Sequence, residues 1–92
     1  MEITKILADG KHVEFSSAKF EDAESDIIQI WGIPSDCFKE VFTFNLFCRR
    51  GFVIEFKMDS KEFTAEADFV RGRTTVGGSN LTRLIVRDVK AA

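Results

Sequence analysis

Ninety-two residues are enough for one domain with one hydrophobic core. Apolar residues make up 45% of the chain and charged residues 30%, which excludes a disordered chain, and no apolar run approaches the ~20 residues of a membrane-spanning helix. The formal net charge of −2 argues against a dedicated nucleic-acid binder, a class that normally carries excess positive charge.

In chain order, Ile3 to Leu7 reads as a strand, and Ala8-Asp9-Gly10-Lys11 supplies a hairpin turn. His12 to Phe20 reads as the returning strand, with Val13 and Phe15 on one parity. Glu21 to Asp26 is an acidic turn without the ligand spacing or the turn glycine of a calcium loop. Ile27 to Gly32 is apolar on both parities, as in a central or covered strand. The chain's one proline, Pro34, ends that strand, and Ser35 or Asp36 is placed to cap a short helical turn reaching Val41.

From Val41 to Val70 the pattern has a period of two. Phe42, Phe44, Leu46 and Cys48 share one parity, as do Phe52, Ile54, Phe56 and Met58. After Asp59-Ser60-Lys61 the apolar set becomes Phe63, Ala65, Ala67 and Phe69. Three antiparallel strands are expected, turning first at Arg49-Arg50-Gly51 and then at Asp59-Ser60-Lys61. Glu55, Glu66 and Asp68 fall on the polar parity, facing solvent and cross-strand partners such as Lys57. The segment Thr74 to Asn80, with Gly77-Gly78, reads as a flexible loop. Leu81 to Val89 carries a helical spacing but also a β-branched run, and the strand reading is preferred. The expected fold is mainly β: a single domain over 1–92, a small antiparallel β-barrel or sandwich of six to seven short strands with at most one or two short helices.

Catalytic patterns are scarce. His12 is the chain's one histidine, which excludes a zinc site of the usual Cys and His ligands. The chain has no nucleophile-elbow motif and no phosphate-loop motif ending in Gly-Lys. Cys37 and Cys48 match no redox or metal spacing and read as small buried hydrophobes. With ten Phe, one Trp and no Tyr, the aromatic content is expected in the core rather than on a recognition face. The N-terminus reads Met-Glu-Ile-Thr-Lys, with no basic region leading into a long apolar run, so a cytoplasmic location is expected.

Charge is the most specific lead. Residues 1–46 carry 4 − 9 = −5 and residues 47–92 carry 9 − 6 = +3, and all six arginines lie in the second half. In an up-down-up meander Arg49, Arg50, Arg71 and Arg73 converge at one end, and Phe47 lies beside them on a face that is otherwise mostly polar. These five residues form the candidate interaction or anion-binding surface. The block from Gly51 to Arg73 resembles, in strand patterning alone, the PilZ class of small β-barrels that bind cyclic dinucleotides. An Arg-x-x-x-Arg segment followed by Asp-x-Ser-x-x-Gly, which defines that class, is not found here in that order, and no residue role is carried over.

The expected function is that of a non-catalytic interaction or assembly protein, self-associating through its oppositely charged halves or binding another protein, with no cofactor, metal or membrane. An anion-binding module for nucleic acid or a nucleotide-like ligand is the alternative. A small enzyme built on carboxylates alone is the third reading.

Overall fold

The computed structural model describes residues 2–48 and 51–92, with side chains described outside 43–48 and 71–73. The elements are β1 (Ile3–Ala8), β2 (Lys11–His12), β3 (Ser17–Phe20), β4 (Ile27–Trp31), α1 (Ser35–Cys48), β5 (Phe52–Met58), β6 (Lys61–Val76) and β7 (Ser79–Ala91). All strand pairings are antiparallel, in the order β2-β1-β5-β6-β7-β4-β3. The sheet curls until Glu2, just before β1, meets Lys19 of β3 at one isolated bridge. It is a barrel-like sheet that touches at its seam without closing along it. Among the described residues no helix is long and apolar enough to cross a membrane.

Two of the expected turns are tight hairpins, Asp9-Gly10 and Asp59-Ser60, each with positive φ at both residues. The segment expected to be a loop at 74–80 is a third. Thr74, Thr75 and Val76 pair with Leu81, Asn80 and Ser79, and Gly77 and Gly78 take φ of 58° and 82° at the tip. Leu81 to Val89 is strand, inside the longer β7. Two other expectations fail. His12 to Phe20 is not one strand: pairing stops at His12 and resumes at Ser17. Val41 to Cys48 is not a strand but the second half of α1.

The helix has a clear cause. The Pro34 carbonyl accepts the first helical hydrogen bond, from the Phe38 amide at 2.9 Å, and Asp36 lies in the first turn, where the helix dipole favours an acid. Cys37, Phe38, Val41 and Phe42 are buried while Asp36, Lys39 and Glu40 are exposed, a 3.6-residue period. No Gly or Pro falls between Ser35 and Gly51 to stop the helix at Val41.

One core lies inside the curl. The parity of β5 and β6 supplies much of it. Phe52 stands opposite Ala67 and Ile54 opposite Ala65, so large and small side chains alternate across the ladder. Ile6, Ile28, Ile30 and Leu84 complete the interior from β1, β4 and β7. At one mouth α1 lowers Phe42 between Phe52 and Phe69, with ring centroids 6.0 and 5.3 Å away, and Phe38 lies 5.5 Å from Phe42. Towards the other mouth Phe56 stacks on Phe63 at 5.4 Å and meets the edge of Phe20 at 5.9 Å.

Thr82 points into this core, fully buried, and its hydroxyl has no hydrogen-bond partner among the described residues. A buried unpaired hydroxyl costs free energy that an isosteric methyl does not. Thr82→Val is therefore expected to raise stability by about 1 kcal/mol in urea denaturation. Phe42→Ala is expected to lower it by about 3–5 kcal/mol in the same measurement, because it empties the space between three other rings.

Candidate functional site

Of the five residues singled out in the sequence, Arg49 and Arg50 lie outside the described residues. Phe47 lies in α1, and Arg71 and Arg73 lie in β6, with side chains outside the described set. The premise of a three-strand meander is overturned, because its first member is the helix. Phe47 therefore has no strand parity, and its status as an exception on a polar strand face disappears. Phe52, at the start of β5, pairs with Ala67, so Arg71 and Arg73 lie beyond that start, towards the β6–β7 hairpin. The backbone of Arg71 is in register with Arg83.

The remaining two arginines are held by carboxylates of the same chain. Arg83 pairs with Glu21 through Nη2, tying the basic half of the chain to the acidic half. Arg87 donates from Nε to Glu66 at 3.0 Å and from Nη1 to Asp68 at 2.8 Å. The hydrogen bond to Asp68 raises the Arg87 pKa most, helped by the charges of Asp68 and Glu66 and opposed by desolvation. Asp68 also accepts the Gly51 backbone amide, so one carboxylate joins the entry to β5, the middle of β6 and Arg87 on β7. The expectation of cross-strand partners for Glu66 and Asp68 holds in kind. The partner is Arg87, which only the strand register could identify.

Two stretches of the sequence differ in charge: residues 69–87 contain four arginines and no acid, of which Arg83 and Arg87 are ion-paired, while residues 21–26 contain four acids and no base, of which Glu21 is the partner of Arg83. The β6–β7 hairpin from Thr74 to Ser79 is exposed throughout, Val76 included. At the other mouth the acidic turn, with Asp22, Ala23 and Asp26, edges a groove of about 460 Å³ floored by Phe20, Met58 and Val89. Val89 is 47% exposed there. Asp22 accepts the Glu24 amide at 3.0 Å, which shapes the turn, yet no described residue forms an ion pair with Asp22, Glu24 or Asp26. This groove was not legible in the sequence. Its floor comes from β3, β5 and β7, which meet only through the strand order.

Two further clusters bear on chemistry. Cys37 is buried and free, and its sulfur accepts the Glu14 amide at 3.3 Å. Cys48 has its side chain outside the described set. His12 is exposed near Cys37, in a shallow depression shared with Glu14 and Glu40. Among the described residues no group of three or more His, Cys, Asp or Glu side chains is gathered for a metal ion.

Gly51 has φ of 69°, and a Cβ there would meet the Arg87 Nη2 at 3.0 Å. Gly51→Ala should therefore lower stability by about 1–3 kcal/mol. Gly77→Ala shares the positive φ but points into open space, so it should cost less. Parallel urea titrations of the two variants test that order. Searches with family models, against curated proteins and against solved structures find no match to this chain.

Proposed function

We propose that this chain is a non-catalytic interaction domain that assembles through its oppositely charged ends. The observation that carries the reading is the hairpin at Thr74 to Ser79. Its residues from Thr74 to Ser79 are all exposed, and at its base Gly32 donates to Asn80 at 2.9 Å. Beyond Ala67, no described strand pairs with β6 on its β5 side, so the hairpin continues an open edge, a natural template for contact. At the other end, three carboxylates without ion-pair partners among the described residues offer complementary charge.

The alternative, an anion site for nucleic acid or a nucleotide-like ligand, draws support from the register that places Arg71 and Arg73 beyond Gly51 on one end of the sheet. Titrating labelled single-stranded and duplex nucleic acid against the wild type and an Arg71→Ala/Arg73→Ala variant separates it from assembly. Equal binding by both proteins, or none, removes those arginines as phosphate contacts.

Assembly through exposed charges must weaken with salt, since the screening length shrinks from about 10 Å at 0.1 M to about 3 Å at 1 M. Light scattering should give a mass above the 10.4 kDa monomer at low salt, falling towards it as salt rises. A strict monomer at low salt and high protein concentration would refute the reading.

A further inference from the structure

We propose that the acid-rimmed groove under the 21–26 turn receives the β6–β7 hairpin of a second copy of this chain. The proposal rests on the assembly reading and names both halves of the contact.

The groove has the make-up of a docking site for a cationic, partly apolar segment. Its floor is apolar and pliable, with Met58 and Phe20 half-buried and Val89 exposed. Its rim is anionic, through Asp22 and Asp26. A hydrophobic floor with a charged rim is the usual build of a specific contact.

The hairpin has the complementary make-up. Val76 is exposed on it, Arg73 immediately precedes it in the sequence, and no acid occurs between Phe69 and Arg87. The hairpin is also narrow, two strands about 5 Å apart with a Gly-Gly tip that carries no side chains.

Topology puts the two features at opposite ends. Val89 lies ten residues along β7 from Ser79, roughly 30 Å at the usual strand rise. The protein measures 30 × 29 × 21 Å. A hairpin therefore cannot reach its own groove, and a copy that fills one groove presents its own groove to the next. The contact is heterologous, so assembly continues into a ring or a filament rather than stopping at a symmetric dimer.

That property gives a decisive test. One variant loses the acceptor, with Asp22→Asn and Asp26→Lys; the asparagine keeps the turn's hydrogen bond to the Glu24 amide. The other loses the donor, with Arg73→Glu and Val76→Glu. Val76→Glu alone, at an exposed tip position, serves if the double variant melts early. Light scattering at low salt should show each variant alone at 10.4 kDa, with self-association weakened roughly tenfold or more. An equimolar mixture should form a dimer of twice that mass and go no further, because each partner keeps one working end.

If either variant alone assembles like the wild type, or the mixture stays monomeric, the groove–hairpin pairing is overturned while the assembly reading stands. If the wild type itself is monomeric at every salt and protein concentration, both fall.

Discussion

A curled antiparallel sheet that stops short of closure has two mouths, and water reaches the core wherever nothing covers them. Here α1 covers one of them. Phe42, with no exposed surface, fills the space between Phe52 and Phe69, and Phe38 braces it from one turn earlier. The helix thereby replaces the missing part of a barrel wall with an aromatic plug. Without it Phe52 and Phe69 would face solvent, and the large–small pairing of β5 with β6 would close over nothing.

The plug has consequences for the polar groups around it. Because α1 enters β5 through Gly51, the Gly51 amide needs an acceptor at the junction, and Asp68 provides it. Asp68 is in turn held by Arg87, which also holds Glu66. Arg83 is held by Glu21. Charges in the middle of the sheet are thus used to fasten strands and turns to one another. Among the described residues the carboxylates of the 21–26 turn other than Glu21 form no ion pair, and they gather where the second mouth is covered only by side chains.

How much of this was readable beforehand depends on the range of the interaction. Phe52, Ile54 and Phe56, then Ala65 and Ala67, were assigned to the core by parity alone, and they are buried. The turns at Asp9-Gly10 and Asp59-Ser60 were visible in residue type. Val41 to Cys48 misled because Phe42, Phe44, Leu46 and Cys48 fit a period of two. The buried set Cys37, Phe38, Val41 and Phe42 fits 3.6, and the absence of any stop before Gly51 was the better evidence. The partners of Arg83 and Arg87 lie 62 and 19–21 residues away in the chain. Pairs that distant follow from strand order and register, which no local pattern encodes. The same holds for the groove, whose floor joins Phe20, Met58 and Val89.

Apart from the Arg83–Glu21 pair, the opposed charge of the acidic mouth and the hairpin end is not itself a stabilising feature of one molecule. At physiological ionic strength the screening length is about 8 Å, and the ends are separated by most of the molecule's 30 Å length. Their mutual attraction within one chain is therefore largely lost to salt. Under the proposed pairing of two molecules the same charges would approach within a few ångströms, inside the screening length, over an apolar floor that lowers the local dielectric. Under the proposed pairing, the direction of association, acidic mouth to hairpin, would follow from the strand order rather than from net charge.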